Sequence, residues 1–399
     1  MAPADAQLLW LSAKVPNDQF LLYAFDGALD ESVLDEIGER ARRCPDLCVR
    51  VRDDHPWRYP RWVAAEVVGE QFVVHEARDW QGCLDGVAAL GQLDATAMCW
   101  RVHLFAPDAV VVQVCHALGD GSRSSALAAT LLGRPAVASG AGPRPPRRGF
   151  LPWRAVAAAR AHRRLVGDTD AGLLPPPAAL RPPLSVNERP CATPVLRTLV
   201  VDRTFLRRPT VTIAALGAIG EALGGYLSGR GEDIDQLGAE LPMALPPVLQ
   251  GYNNFRNAGV GLYPTADRER RVQRIAHDVA GQRSRAGHPA TVAAARASAA
   301  VPAWLVRWGI SRFDPGTRCD AVTGNTVVSS VNRGPADLHL GGRRVRMTAG
   351  FPALSPMMSL THGVHGIGET VTVSVRADPS NVDVDDYLDR LRHALGCRG

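Results

Sequence analysis

The stretch VVVQVCHALGDGSRSS, residues 110–125, joins two kinds of pattern. Its first half is a β-branched run suited to a buried strand. Cys115 and His116 follow, and four residues after the histidine comes the pair Asp120-Gly121. Upstream, MCWRVHLFA (98–106) and AVVVQVCH (109–116) read as two strands joined by a Pro-Asp turn at 107–108. Downstream, SSALAATLLG (124–133) reads as a helix stopped by Gly133. The Cys-His-x-x-x-Asp-Gly segment is therefore the connection between a buried strand and a helix.

Such a connection can carry chemistry. A histidine with a free ring nitrogen can take a proton from an alcohol or an amine near neutrality, because its ordinary pKa is about 6.5. Asp120, three residues further on and followed by glycine, suits a bracing role, since aspartate holds turns through backbone hydrogen bonds. Gly121 admits a turn that a Cβ would obstruct. Ser122 lacks the Gly-x-Ser-x-Gly setting of a nucleophile elbow. Alternation along the strand turns Cys115 to the face opposite His116, where it reads as a small buried thiol.

Outward from this point the chain divides. Residues 1–140 mix helix and strand and form a first lobe; SVLDEIGERARRC (32–44) is its clearest amphipathic helix. Residues 141–192 are rich in Pro, Gly and Arg and read as a connecting arm, with a helix over 154–166. Residues 193–399 form a second lobe with strands at 193–203, 325–350 and 369–379, an apolar helix at 210–227 and a closing amphipathic helix at 384–395. Interleaved helices and strands on both sides of an arm predict two α/β lobes.

Composition excludes several classes. The formal net charge is +5, yet Lys14 is the only lysine among 45 basic residues, and the arginines are spread along the chain. No dense basic block marks a nucleic-acid partner. Eight cysteines form no Cys-x-x-Cys pair, and no run of about 18 uncharged apolar residues predicts a membrane span. The start of the chain lacks a signal-peptide pattern, so a cytoplasmic protein with reduced thiols is expected. YNNFRN (252–257) offers Asn254 and Asn257 as substrate contacts. THGVHGIG (361–368) reads as a flexible loop, not a metal site, and HPWRYPRW (55–62) as a packed aromatic-basic loop.

Four landmarks give a family resemblance. APADAQLLWL (2–11), QLDATAMCWRVHLF (92–105), VCHALGDG (114–121) and SSVNRGPADLHLGGRRV (329–345) stand in the order of motifs in the wax ester synthase / acyl-CoA:diacylglycerol acyltransferase family. ALPPVLQGYNNFRNAGVGLYPTADRERRVQRI (244–275) follows the family pattern between the last two. The resemblance extends to the wider superfamily of chloramphenicol acetyltransferase-like folds and peptide-synthetase condensation domains. It implies two such lobes in a pseudo-dimeric arrangement, with the active-site tunnel between them.

The same resemblance implies an acyltransferase in which His116 is the general base and Asp120 braces the loop through an arginine. Acyl-CoA, or an acyl thioester on a carrier protein, would be the donor, and a hydroxyl compound the acceptor. No permanently bound cofactor or metal, a monomer and at most peripheral membrane contact are expected. Cys115 stands where the family has a first histidine. In the family's Ser-Asn-Val-Pro-Gly-Pro segment this chain has Ser330-Val331-Asn332-Arg333-Gly334-Pro335. Ser330 and Asn332 are the candidates there for oxyanion or substrate contact, and Arg333 is expected to bring positive charge to the tunnel mouth. Two other readings stay open: a condensation-type enzyme of a specialised-metabolite pathway with a carrier-bound donor, and a binding protein of the same fold that has lost catalysis.

Overall fold

The structure, a computed structural model, describes residues 1–105, 107–135, 149–206, 208–245 and 251–396. The proline-rich run at 136–148, the Pro-Val positions at 246–248 and Cys397 lie outside the described residues. The chain opens with helix α1 (Pro3–Ser12), with proline in the first turn where no backbone donor is needed. Strand β1 (Gln19–Phe25) and helix α2 (Val33–Arg42) follow, and α2 buries Val33, Ile37 and Ala41 at the spacing its sequence predicts. A hairpin of β2 (Val49–Arg52) and β3 (Arg61–Ala64) leads to strand β4 (Phe72–His75) and helix α3 (Trp80–Ala88). The expected strand pair is β5 (Trp100–Phe105) and β6 (Ala109–Val114), every residue of β6 being buried. Helix α4 (Gly121–Leu131) begins three residues earlier than its apolar pattern, because Asp120 caps it.

The second half starts with helix α5 (Leu151–Asp170), longer than the helix expected at 154–166 and without a buried residue. Strand β7 (Val195–Asp202) precedes helix α6 (Val211–Ser228). By length and composition α6 would cross a membrane, but 67% of it is buried, so it is the core helix of this lobe. Strands β8 (Gly238–Ala244) and β9 (Phe255–Gly261) form a hairpin, followed by helices α7 (Arg268–Gly287), α8 (Pro289–Ser298) and α9 (Ala303–Arg312). Strands β10 (Thr326–Asn332), β11 (His339–Leu340), β12 (Arg343–Gly350), β13 (Leu360–Ile367) and β14 (Thr370–Ala377) lead to the closing helix α10 (Val384–Ala394).

Twelve of the strands make two six-stranded sheets, one per lobe of an α/β fold, and β2 and β3 pair apart. The first runs β11-β12-β1-β6-β5-β4 and the second β7-β14-β13-β10-β8-β9. Strand β12 thus comes from the C-terminal half but pairs antiparallel with β1, Leu21 opposite Gly350 and Tyr23 opposite Thr348. A linear division at residue 193 therefore does not separate the sheets: the second half lends a hairpin to the first lobe.

The expected loop at 361–368 is instead β13, a strand paired on both sides and almost wholly buried. Its glycines serve close packing: a Cβ on Gly363 would stand 2.1 Å from the Gly350 carbonyl oxygen of β12. His362 and His365 are core histidines, His362 bonding the Tyr387 hydroxyl at 2.6 Å and that of Thr326 at 2.9 Å.

Candidate active site

At the end of β6 the chain leaves the sheet and makes one short turn of 3-10 helix, His116–Leu118, before Asp120 starts α4. Cys115 stays in the first lobe's core beside Cys99, the face opposite the turn. The hydrogen bond with Cys115, and then burial, push the Cys99 thiol up, so this pair is an apolar packing element.

His116 is held from its Nδ1 side. That nitrogen lies 3.1 Å from Oδ1 of Asn253. The amide cannot be turned round, because its Nδ2 donates to Asp5 Oδ1 at 3.0 Å and to the His116 carbonyl at 2.9 Å. Oδ1 only accepts, so Nδ1 carries the proton and the lone pair is on Nε2. The Phe255 ring stacks on the imidazole with centroids 5.5 Å apart. Burial holds the His116 pKa below the ordinary histidine value, favouring the neutral ring a base requires.

Asp5 comes from α1, over a hundred residues away in sequence, and is fully buried. Its carboxylate accepts from the backbone N–H groups of Tyr252 and Asn253 as well as from the Asn253 side chain. Burial raises its pKa, and these hydrogen bonds oppose that rise. The aspartate of the expected opening motif thus positions the residue that positions His116.

Asp120 is braced differently from the expectation. Among the described residues no arginine side chain holds its carboxylate. Oδ1 accepts from the Arg123 backbone N–H at 3.1 Å and Oδ2 from that of Asn254 at 3.2 Å, so Asp120 caps α4 and ties it to the 252–254 loop. The Arg123 guanidinium turns elsewhere: it donates to the Leu118 carbonyl, pairs with Asp46 and lies 3.7 Å from the centre of the Tyr252 ring. Gln19 adds a further tie, donating to the Gly119 carbonyl at 2.6 Å.

Gly121 faces the second lobe. A Cβ there would stand 3.1 Å from Val331 Cγ2, so the end of β10 abuts the start of α4. Ser330 bonds the Thr212 hydroxyl at 2.8 Å. Asn332 uses its Oδ1 to accept from the Gly334 N–H at 3.1 Å, a turn within its own segment. Arg333, expected at a mouth, is buried in the seam between the sheets. Its Nη1 donates to the Ala349 carbonyl at 2.9 Å and to the Thr348 hydroxyl, and its guanidinium lies 5.1 Å from the centre of the Tyr23 ring. The side chain spans the lobes because β12 sits between them. Asn257 stands apart, exposed on β9 and bonded to Glu240.

The structure thus brings His116, Asp120, Gly121 and Asn254 together and sets the 329–335 segment against them. It adds Asn253, Asp5 and Phe255, which motif reading missed. A cavity of about 330 Å³ opens beside this cluster, lined by Ala4, Gln7, Leu8, Leu11, Asn253, Phe255 and Ile310. The two residues touching the imidazole are therefore also part of an apolar wall. A larger depression of about 460 Å³ at the start of α10 holds none of the motif residues.

Residues 260–397 match the family model for the WS/DGAT C-terminal domain. No curated protein matches the chain. Among solved structures, the wax ester synthase/diacylglycerol acyltransferase from Marinobacter aquaeolei VT8 superposes with a TM-score of 0.63 at 16% identity, covering 99% of this chain and 98% of that one. The first condensation domain of the calcium-dependent antibiotic synthetase, in complex with a substrate analogue, gives 0.63 at 15% identity, covering 98% and 95%. The starter condensation domain of rhizomide synthetase, a mutant in complex with C8-CoA and Leu-SNAC, gives 0.57 at 12% identity, covering 99% and 92%. The chain has the two-lobed fold these proteins share, and its residues 260–397 match the WS/DGAT C-terminal domain model.

Proposed function

We propose that the protein is an acyltransferase that moves an acyl group from a thioester to a hydroxyl acceptor, with His116 as the general base. The observation that carries this reading is the contact of His116 Nδ1 with Asn253 Oδ1, an acceptor that assigns the ring proton to Nδ1 and leaves Nε2 basic. Nε2 takes the proton of the acceptor hydroxyl as its oxygen attacks the thioester carbonyl. The tetrahedral intermediate then collapses to the ester, and the departing thiolate takes the proton back from the imidazolium. The scheme needs no metal or redox cofactor. The donor is acyl-CoA or an acyl thioester on a carrier protein, and the apolar cavity beside Phe255 suits an alkyl chain. Supporting the reading are the family match over 260–397 and the fold shared with a wax ester synthase.

A second reading, amide formation with a carrier-bound donor, is favoured by one observation: the condensation domain superposes with the same TM-score as the ester synthase. The purified protein, offered a panel of acyl-CoAs and carrier-bound acyl groups with alcohols and amines, separates the two by product mass. His116→Ala is expected to lower the rate by about 10²–10⁴-fold. Full activity in that variant would end both readings.

A further inference from the structure

Helix α9 presents apolar side chains on both of its sides. Ala303 is buried, and Ile310 lines the cavity beside Asn253 and Phe255. On the other side Trp304 is 45% exposed, Leu305 37% and Trp308 55%, with Phe313 just past the helix end at 43%. Trp57, from the connection between β2 and β3, is 65% exposed and meets Trp304 edge-on, ring centroids 6.1 Å apart. Apolar side chains scattered singly over a surface call for no explanation, but a cluster of large aromatics on one face does.

The helix is anchored with this face outward. Arg307 pairs with Asp53 beneath it and lies over the Trp10 ring, while Lys14 donates to the carbonyls of Ser311 and Phe313 at its end. Within α9 there is no carboxylate. The acids nearby are engaged: Asp53 with Arg307, Asp54 with Arg61 at 3.2 Å, and Asp314 with its own Gly316–Thr317 turn. Arg58 is exposed beside Trp57, and Arg312 lies 5.8 Å from the Trp308 ring centre. Exposed tryptophans edged by arginines are the chemistry of a helix lying at a membrane interface. Self-association through the same face would oppose arginine to arginine across a two-fold axis, which is unfavourable.

We infer that this face docks on an anionic lipid surface. Trp57, Trp304, Leu305, Trp308 and Phe313 enter the headgroup–acyl boundary, and Arg58 and Arg312 meet the lipid phosphates. The cavity wall at Ile310 belongs to the same helix, so an apolar substrate passes from the lipid to the His116 site beneath α9. That last link rests on the acyl-transfer reading; the docking itself does not.

The test is co-sedimentation of the full chain with vesicles of equal parts phosphatidylcholine and phosphatidylglycerol, and of phosphatidylcholine alone. Wild type is expected to sediment with the anionic vesicles and poorly with the neutral ones. Trp304→Ser/Trp308→Ser alters exposed positions only, keeps its melting temperature and lowers anionic-vesicle binding by at least about tenfold. Arg58→Gln and Arg312→Gln each lower it by about fivefold. Binding that is equal on both vesicles, or unchanged in the tryptophan variant, overturns the proposal. So does a wild type that ignores vesicles but forms a dimer which the tryptophan variant dissociates. Vesicle binding by a protein that turns over no thioester would sink the acyl-transfer reading and leave the docking standing.

Discussion

His116 depends on a single proton placed on Nδ1, and Asn253 places it. Replacing Asn253 by Leu removes the acceptor and the control of the tautomer, and kcat is expected to fall about ten- to a hundredfold with little change in KM. The pH profile separates this from mere packing. Because burial lowers the His116 pKa, the wild-type rate keeps its plateau below the ordinary histidine value of about 6.5 before the imidazolium forms. Asn253→Asp puts a carboxylate against Nδ1, stabilises the imidazolium and moves the acid limb to higher pH. An unmoved limb in that variant would show that the contact does not govern the base. At this scale the sequence was half legible. His116, Asp120 and Gly121 announce themselves by spacing within one turn. Asn253 and Asn254 are adjacent and indistinguishable in the chain; only the fold decides that one meets the ring while the other offers a backbone N–H to Asp120. Asp5 stands 247 residues from the loop it holds, beyond the reach of any local pattern.

Among the elements, those with a strong period were legible: the β5–β6 hairpin, α2, α6 and α10 all lie where their apolar spacing puts them. Strand β13 was not, because glycine carries two meanings. In THGVHGIG it reads as freedom, whereas Gly363 is there because β12 passes so close that a side chain has no room. This has a measurable consequence. In Gly363→Ala the Cβ would meet the Gly350 carbonyl oxygen, which belongs to backbone and cannot rotate aside. The substitution is expected to destabilise by about 1–3 kcal/mol or more, through separation of β12 from β13. Urea unfolding with an unchanged midpoint would contradict this account of the close approach.

For the whole molecule, two α/β lobes were legible from the alternation of helices and strands, but the shared seam was not. Strand β12 lies in the C-terminal half and completes the first sheet, and that crossover buries Arg333 and His365 between the sheets. The core consequently holds several histidines in their neutral form. Burial takes His103, beside Gln113 and His75, down to about 4 and His362, against Tyr387, to about 3. His365 is held well below its ordinary value, first by burial and then by the Arg333 charge. In the unfolded chain each of these rings gains a proton near pH 6.5, while the folded protein refuses it. The unfolded state therefore binds more protons below that pH, and stability falls as the solution is acidified. Asp18 acts in the opposite sense. Burial raises it to about 6, so the folded state binds its proton first and gains stability as pH falls toward the unfolded carboxylate range. Three such carboxylates, Asp18, Asp5 and Glu240, do not offset five lowered histidines, these three core rings together with His75 and His116. The urea midpoint is expected to fall steadily between roughly pH 7 and pH 5. His362→Gln cannot take up a proton on unfolding, so its slope should be shallower than wild type, whatever its absolute stability. A midpoint that holds level across this range, or an identical slope in the variant, would mean that the buried histidines do not set the acid limit.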